Sequence, residues 1–292
     1  MIVGVPREIK SHEYRVGLTP GSVREYATRG HQVIIETGAG LGIGADDQSY
    51  HLAGAEIVSS ASEIFARAEM VVKVKEPQPS EWTLLRADQI LFTYLHLAPD
   101  PAQAEGLLAS ECTAIAFETV GDGKGGLPLL APMSEVAGRL SIEAAGAALR
   151  RHTGGRGLLL GGVPGVPPAR VLVIGGGVVG THAARMAVGL GAEVSIIDRL
   201  LPRLRQLDEL FGGRARTRLS TIDAIEQEIA EADVVIGAVL VPGASAPKLI
   251  LRGMLKRMKP GAVLVDVAID QGGCFETPRV ASSGPTIAAR NC

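Results

Sequence analysis

The first 130 residues alternate short apolar runs with segments whose apolar positions recur at helical spacing. The runs predict strands over residues 2–5, 32–36, 70–75, 89–95 and 113–118. Thr19 is a predicted helix N-cap, with Pro20 at the first helical position and Gly30 just beyond the end. Further helices are predicted within 76–82 and over 100–110. Because helices separate the strands, we expect a largely parallel sheet with functional groups at the strand ends.

The second half of the chain repeats this alternation after a connecting segment. A long Ala-rich helix is predicted over 134–152, and a loop with six glycines and three prolines follows at 153–169. Strands are then predicted over 170–175, 193–198, 232–240 and 262–269, and helices near 178–190, 201–211, 221–231 and 250–258. The pattern predicts a second α/β domain, with the boundary near residue 130.

The composition narrows the class of protein. Hydrophobic residues make up 46% of the chain and charged residues 21%, which excludes wholesale disorder. Glycine accounts for 37 of 292 residues, well above the usual share of about 7%, as is typical of parallel strands packed closely against helices. With 29 basic and 31 acidic residues the net charge is −2, so we expect neither a nucleic acid nor an anionic membrane as a partner.

The location and the redox chemistry of the protein are also limited by the sequence. Cys112, Cys274 and Cys292 are too few and too scattered to predict a disulfide framework or a zinc site. Charged residues interrupt the first ten positions, where a signal peptide needs an apolar run, and no apolar stretch reaches the ~18 residues of a membrane helix. We therefore expect a soluble, cytoplasmic protein.

A glycine-rich motif marks the start of the second domain. Gly175, Gly177 and Gly180 fit G-x-G-x-x-G between a predicted strand and a predicted helix, and Asp198 ends the next strand 23 residues after Gly175. In such motifs the first glycine makes the tight turn, the second admits a pyrophosphate, and the third allows close packing of helix and strand. The alternative is that these glycines only tighten a turn. The agreement of motif, strand, helix and acidic residue favours dinucleotide binding.

The acidic residue at the end of the second strand bears on the choice of cofactor. Asp198 would accept hydrogen bonds from the adenosine ribose, which favours NAD over its 2′-phosphorylated relative. Arg199 and Arg203 weaken that preference, because a nearby arginine can accommodate the 2′-phosphate. Together the patterns predict a two-domain α/β fold: residues 1–130 form a doubly wound, Rossmann-like substrate domain, and residues 131–292 form a Rossmann dinucleotide-binding domain.

Four polar residues are candidates for a substrate site. Arg15 follows the first strand, and Lys75, His96 and Asp270 end predicted strands. In open parallel sheets ligands bind beyond the carboxyl ends of the strands, where Arg and Lys could clamp a carboxylate and His could exchange protons. Each residue also has an ordinary explanation. Arg15 could be a solvated loop charge, Lys73 and Lys75 an exposed strand face, and His96 and Asp270 capping residues.

Several segments of the chain resemble bacterial alanine dehydrogenase: IVGVPREIKSHEYRVGLTP at the start, VVKVKEP, YLHLA, LLAPMSEVAGRLS and the VLVIGGGVVG loop. The resemblance extends to about residue 279. It implies reversible oxidation of L-alanine to pyruvate and ammonia with NAD. By the same resemblance Arg15 and Lys75 hold the substrate carboxylate, His96 is the acid/base, and Asp270 activates the water that hydrolyses an imine.

The resemblance also implies which residues contact the cofactor. Besides the glycine motif these are Ser134, Val178, Val179, Asp198, Arg203, Ser220, Val239, Leu240, Val267 and Arg279. Glu118 matches a position tied to a divalent ion in some members, but its partner histidine lies beyond residue 292, so we expect no metal. A homohexamer is implied as well.

Two features leave other functions open. The related soluble subunit of nicotinamide nucleotide transhydrogenase shares much of this plan and would take no amino-acid substrate. From about Val280 the residues depart from the family pattern, as after a frameshift or premature stop. We therefore also weigh an inactive NAD-binding remnant that lacks the segment completing the first domain.

Overall fold

The structure is a computed structural model that describes residues 1–239, 247–269, 272–277 and 287–289. The chain divides into two compact units, Met1–Leu129 and Leu130–Cys292. None of the helices in the described residues combines the length and the hydropathy needed to cross a lipid bilayer.

The first unit is a parallel sheet with helices between its strands. Its strands are β1 (Ile2–Val5), β2 (Gln32–Glu36), β3 (Ala55–Val58), β4 (Met70–Val72), β5 (Ile90–Thr93) and β6 (Thr113–Ala116). Its helices are α1 (Pro20–Thr28), α2 (Asp47–Leu52), α3 (Ala61–Arg67), α4 (Pro79–Trp82) and α5 (Pro101–Ser110). The sheet order is β3-β2-β1-β4-β5-β6, with every pairing parallel. The chain therefore reverses its direction of travel across the sheet between β1 and β4, where such sheets bind ligands.

The second unit repeats this strand order. Its strands are β7 (Arg170–Ile174), β8 (Glu193–Asp198), β9 (Ala215–Leu219), β10 (Val234–Gly237), β11 (Val263–Asp266) and β12 (Ile287–Ala289). Its helices are α6 (Ala131–Ala148), α7 (Val178–Gly189), α8 (Leu201–Phe211), α9 (Ile222–Glu231) and α10 (Arg252–Leu255). The sheet order is β12-β11-β10-β7-β8-β9, and only β12 among the described strands runs antiparallel. The reversal point here lies between β7 and β10.

Burial on both faces explains why the central strands read as continuous apolar runs. Val3, Val5 and Val33 are fully buried in the first unit, as are Val173 and Val234 in the second. Parallel strands covered by helices on both sides bury alternate side chains in two separate cores. These strands supply the rigid frame from which the loops at the strand ends project.

Glycines set the distance between some helices and strands. A Cβ on Gly4 of β1 would lie 2.6 Å from the Cβ of Ala68, which follows α3. A Cβ on Gly138 of α6 would overlap the carbonyl oxygen of Val179 in α7. Both positions therefore require a residue without a side chain for the observed packing.

The fold class is confirmed, but several predicted bounds were wrong. The strands predicted over 70–75 and 89–95 end at Val72 and Thr93. The residues after them form other contacts: Lys73 pairs with buried carboxylates, and the N–H groups of Leu95 and His96 donate to a side chain. The helix predicted over 134–152 spans Ala131–Ala148, and the one predicted near 250–258 spans only Arg252–Leu255. Strands predicted over 113–118, 232–240 and 262–269 are also shorter in the described residues: Thr113–Ala116, Val234–Gly237 and Val263–Asp266.

Several elements had no counterpart in the sequence analysis: α2, α3, β3, β9 and β12. β9 (ARTRL) lies at the edge of the described part of its sheet and buries only Ala215, so it lacks the apolar run by which the central strands were found. β3 has the same weakness, since only its two end residues are buried. Pairing with a neighbouring strand, rather than local pattern, defines both strands.

Candidate functional site

The glycine-rich loop joins β7 to α7 at the reversal point of the second sheet. Gly175 has φ +102°, a conformation that L side chains rarely adopt, and its Cβ would lie 2.6 Å from the carbonyl oxygen of Ala238 after β10. A Cβ on Gly180 would overlap the carbonyl oxygen of Gly175, so this glycine sets the distance between helix and strand. A Cβ on Gly177 would meet no described atom within 4 Å. The three glycines therefore differ in what surrounds them, as the motif predicts.

This loop fits the pyrophosphate of a dinucleotide. α7 begins at Val178, so the first N–H groups of the helix have no acceptor within it and carry the positive end of the helix dipole. The open space beside Gly177 gives a phosphate access to these backbone donors. The residues present thus suit the pyrophosphate of a dinucleotide.

Asp198 and Arg203 hold the glycine-rich loop through Gly176. Asp198 Oδ2 accepts from the Gly176 N–H at 2.7 Å, and Asp198 Oδ1 accepts from the Leu200 N–H at 2.8 Å. Arg203 Nε donates to the Gly176 carbonyl oxygen at 2.7 Å, and Arg203 Nη2 donates to Thr181 Oγ1 at 2.7 Å. Both side chains therefore hold the glycine-rich loop in shape, a role that the sequence analysis did not assign to them.

Other predicted cofactor residues lie at the ends of the same strands. Ser220 follows β9, and its N–H donates to the Asp198 carbonyl oxygen at 2.9 Å. Val239 follows β10, and a Cβ on Gly175 would lie 2.9 Å from its Cγ2. Val267 follows β11, and its N–H donates to the Gly237 carbonyl oxygen at 2.9 Å.

The remaining predicted residues differ in what the structure says of them. Ser134 is in the first turn of α6, one turn before the Gly138 contact with α7. Val178 and Val179 open α7. Leu240, Asp270 and Arg279, predicted as two cofactor contacts and a catalytic group, lie outside the described residues.

The first unit places Arg15, Lys75 and His96 beyond the carboxyl ends of three adjacent strands. Arg15 lies in the loop after β1, Lys75 follows β4, and His96 follows β5, so the first two flank the reversal point. Burial raises the pKa of the Glu13 carboxyl, whereas the positive charges of both Arg15 and Lys75 lower it, so the two cations lie near the same carboxylate. The structure therefore gathers the two predicted carboxylate-binding cations at one edge of one sheet.

Glu13 orients the guanidinium of Arg15. Its Oε1 accepts from Arg15 Nε at 2.7 Å and from the Arg15 N–H at 2.9 Å, while Oε2 accepts from Nη2 at 2.5 Å. Burial alone would raise the pKa of the Glu13 carboxyl, but these hydrogen bonds and the charge of Lys75 outweigh it, and the pKa is lowered. The hydrogen bonds that Arg15 donates to Glu13 likewise raise the pKa of Arg15. The pair is therefore ionised and fixed at neutral pH.

The interpretation of Lys73 and Lys75 as an exposed strand face is wrong for Lys73. The Lys73 side chain is completely buried, with its Nζ 2.9 Å from Glu81 Oε1 and 3.3 Å from Glu8 Oε2. The strand has ended at Val72, so strand alternation no longer governs these side chains. Burial raises the pKa of Glu8, against the attraction of Lys73. Lys73 is an internal ion-pair partner and not a surface charge.

Glu118 and Tyr94 surround His96. The Glu118 Oε1 atom accepts from the His96 N–H at 2.6 Å, and both Glu118 carboxylate oxygens lie within 3.3 Å of the Leu95 nitrogen. The imidazole lies parallel to the Tyr94 ring, with 5.8 Å between centroids and 3° between planes. His96 Nδ1 is buried without a hydrogen-bond partner among the described residues, 3.8 Å from Glu118 Oε1.

The sequence analysis did not identify Glu13 as the partner of Arg15, Tyr94 as the partner of His96, or Lys73 as a buried ion-pair residue. It considered Glu118 only as a possible metal ligand. Among the described residues no group of three or more His, Cys, Asp or Glu side chains could hold a metal ion. The spacing Glu13-x-Arg15 was the one local signal available, because two residues in one loop can pair. The contact of Glu118 with residues 95 and 96 depends on strand neighbourhood, which no local pattern reveals.

The fold and the glycine-rich loop define a dinucleotide-binding protein built from two units of the same strand order. The chain belongs to the alanine dehydrogenase/PNT family, as the resemblance in its sequence indicated. The family model of the N-terminal domain matches residues 4–137, and that of the C-terminal domain matches residues 141–291.

Relatives and solved structures agree with this assignment. The chain is 57% identical over 279 residues to the alanine dehydrogenase of Halomonas elongata, which covers 96% of this chain and 75% of that protein. A solved L-alanine dehydrogenase matches with a TM-score of 0.89 and 54% identity, over 97% of this chain and 78% of the other. The transhydrogenase of Sinorhizobium meliloti matches with a TM-score of 0.79 and 27% identity, over 98% and 85%. The chain is thus more similar to these dehydrogenases than to this transhydrogenase.

Proposed function

We propose that this chain is an NAD-dependent dehydrogenase that converts L-alanine, NAD⁺ and water to pyruvate, ammonium, NADH and a proton, reversibly. The observation that carries the proposal is the pair of cations Arg15 and Lys75 at the reversal point of the first sheet, in a chain 57% identical to a protein named alanine dehydrogenase. A small substrate with one carboxylate suits this pair.

In this proposal Arg15 and Lys75 bind the substrate carboxylate. Glu13 engages the Nε and Nη2 of Arg15, which fixes the plane of the guanidinium before substrate arrives. A fixed guanidinium loses less conformational freedom on binding than a mobile one. Holding the carboxylate in one orientation restricts the direction of the Cα–H bond of alanine, and hydride transfer requires that this bond point at the hydride acceptor.

The second unit binds the cofactor, and its geometry favours NAD. When bound, NAD⁺ supplies the acceptor for the hydride of the substrate α-carbon. Arg203 donates through each of its three guanidinium nitrogens, to Gly176, Thr181 and Gln206. Because these hydrogen bonds already occupy the guanidinium, Arg203 is less suited to bind a 2′-phosphate than its position in the sequence indicated. Asp198 adds a negative charge at the end of β8, which disfavours a phosphate there.

Proton transfer is assigned to two residues. His96 is the acid/base that exchanges a proton at the substrate nitrogen or carbonyl oxygen, because an imidazole nitrogen can both accept and donate a proton. Asp270, which lies outside the described residues, is proposed from the resemblance to activate the water that attacks the C=N bond. That attack releases ammonia and leaves pyruvate.

Turnover of the purified chain tests the proposal directly. NAD⁺ is supplied with L-alanine, and the absorbance of the reduced nicotinamide is followed. We expect reduction that depends on alanine, and at least a 100-fold loss in kcat/KM for Arg15→Met and for Lys75→Met. The control is Lys124→Met, an exposed lysine of the first unit, which should turn over like the parent. Hydride exchange between two nicotinamide nucleotides without alanine would contradict the proposal, and so would NAD binding without any turnover.

The resemblance also leads us to propose a homohexamer. Light scattering of the purified chain coupled to gel filtration measures the mass of the assembly directly. A mass of one chain would contradict this part of the proposal without bearing on turnover.

A further inference from the structure

We propose that Glu118 is a positioning residue that holds His96 in its working orientation through the backbone. The inference rests on the proposed function, because it takes His96 as the acid/base. It assigns Glu118 a role in which no metal takes part: the carboxylate serves as an acceptor for main-chain N–H groups.

The first support is the set of contacts made by the carboxylate. Glu118 is 7% exposed and lies in the short 3₁₀ turn after β6, next to the strand that precedes His96. Its Oε1 accepts from the His96 N–H at 2.6 Å, a short charge-assisted bond. The same carboxylate faces the Leu95 N–H, with oxygens at 3.2 and 3.3 Å. One side chain therefore serves the N–H groups of two successive residues.

The second support is the backbone conformation that this contact holds. His96 has φ +47°, in the left-handed region that only a few per cent of non-glycine residues adopt, Asn, Asp and His more often than others. Such conformations persist where the surroundings over-determine them, and they concentrate at functional sites. Leu95, the residue before, is tied from the other side, because Gln103 Nε2 donates to its carbonyl oxygen at 2.9 Å. Glu118 and Gln103 together fix the turn that aims the His96 side chain.

The third support is the confinement of the ring itself. The imidazole lies parallel to Tyr94, whose hydroxyl donates to the Leu129 carbonyl oxygen at 2.6 Å. Nδ1 is buried, with the Glu118 carboxylate 3.8 Å away and no hydrogen-bond partner among the described residues. A proton exchanged with substrate would therefore pass through Nε2. Any change in the backbone at His96 would displace that atom.

Two substitutions of Glu118 distinguish its role as a hydrogen-bond acceptor for the His96 N–H from the effect of its negative charge. Glu118→Gln keeps a carbonyl oxygen that can accept from the His96 N–H, whereas Glu118→Ala removes every acceptor. We expect Glu118→Ala to lower kcat for alanine about 100-fold, the scale of a 1 Å misplacement of a catalytic group. Glu118→Gln should retain kcat within roughly 10-fold, since a neutral hydrogen bond is about half as strong as a charge-assisted one. KM for alanine and the Kd for NAD should change little in either variant.

A matched variant controls for loss of stability. Glu36 is also a buried carboxylate of the first unit, 8% exposed, and it accepts from a backbone N–H, that of Arg7 at 2.7 Å. Glu36→Ala should lower Tm by a similar amount while kcat stays near that of the parent. A Glu118→Ala variant with parental kcat would overturn the proposal. A Glu118→Gln variant with a kcat as low as that of Glu118→Ala would overturn it too. The negative charge of the carboxylate would then determine kcat, and the hydrogen bond to the His96 N–H would not.

Hydrogen exchange supplies a measurement that does not depend on turnover. Peptides that contain the amides of Leu95 and His96 should exchange faster in Glu118→Ala than in the parent, and at nearly the parental rate in Glu118→Gln. If the parent fails to oxidise alanine but shows this order of exchange, the proposed function fails while the anchoring geometry holds. Equal protection in all three proteins would overturn the anchoring itself.

Discussion

Asp198 and Arg203 bind the two polar groups of a single residue, Gly176: the carboxylate accepts from its N–H, and the guanidinium donates to its carbonyl oxygen. The peptide units on both sides of Gly176 are thereby fixed before any ligand is present. A loop that is already shaped loses less conformational entropy when a pyrophosphate binds. The acidic residue and the arginine therefore contribute to affinity through the shape of the loop.

Replacing Arg203 should weaken NAD binding without disturbing the first unit. Arg203→Met removes the charge-assisted bonds to Gly176 and Thr181. Because these bonds shape the loop rather than contact the cofactor, we expect only about a 10-fold increase in the Kd for NAD, equivalent to about 1.4 kcal/mol. Titration calorimetry with NAD measures the change. Arg205→Met, an exposed neighbour on α8, is the control and should bind like the parent. An unchanged Kd in Arg203→Met would mean that the loop keeps its shape unaided.

The glycines of the loop should respond differently to alanine. Gly177→Ala places a methyl group in open space at φ −68°, so the free energy of unfolding should change by less than about 0.5 kcal/mol. NAD affinity should fall sharply, because that space is where we place the pyrophosphate. Gly180→Ala drives a methyl group into the Gly175 carbonyl oxygen and should destabilise the protein by about 1–3 kcal/mol. Denaturant unfolding and NAD titration of both variants check these outcomes, and loss of stability in Gly177→Ala would contradict the assignment.

Lys73→Met should be among the most destabilising substitutions in the first unit. The change leaves the Glu8 and Glu81 carboxylates buried without their cation, which typically costs about 3–5 kcal/mol. Chemical denaturation measures the loss, with the exposed Lys124→Met as control. Adding Glu8→Gln to Lys73→Met should recover part of the lost stability, because it removes one of the two uncompensated charges. A single variant as stable as the parent would show that Lys73 is solvated in solution.

The Glu13–Arg15 pair should make stability depend on pH in the acid range. The pKa of Glu13 is lowered in the folded protein, so the unfolded chain binds the extra proton first as pH falls. The contribution of the pair is therefore full above the ordinary carboxyl pKa of 4.5 and is lost as pH falls through the lower, folded value. Glu13→Gln should destabilise by up to about 1 kcal/mol at neutral pH, since Arg15 is partly solvated, and by less in acid.

Unfolding of both proteins at pH 7 and below pH 4 measures this difference. The same variant should raise KM for alanine more than it lowers kcat, because Glu13 acts on the orientation of Arg15. A penalty that grows toward low pH would contradict the assigned direction of the pKa shift.

The sequence was sufficient for those parts of the fold that depend on neighbours along the chain. The central parallel strands were found because their apolar runs reflect burial on both faces, and the glycine motif because its strand, turn and helix are consecutive. β9 could not be found, since its pattern is polar and its pairing with β8 is what makes it a strand. Their positions after predicted strands made Arg15, Lys75 and His96 candidates and the resemblance implied their roles, but neither identified the side chains that support them.

Apart from Glu13, which is close to Arg15 in the sequence, the supporting residues come from distant positions. Glu118 reaches His96 across 22 positions in the sequence, and Glu8 reaches Lys73 from the loop after β1, the strand next to β4. A lysine on an alternating pattern is normally solvated, and only the three-dimensional arrangement shows that Lys73 has two carboxylate partners.

A lysine whose side chain has no exposed surface also resists chemical modification. Amine-reactive reagents can acylate Lys73 only while the first unit is transiently open, whereas exposed lysines such as Lys124 react from the folded state. The ratio of the two acylation rates, read by mass spectrometry on one sample, therefore gives the fraction of time that the ion-pair network spends open. Lys73 therefore reports local unfolding of the first unit two residues before Lys75, which is proposed to bind the substrate.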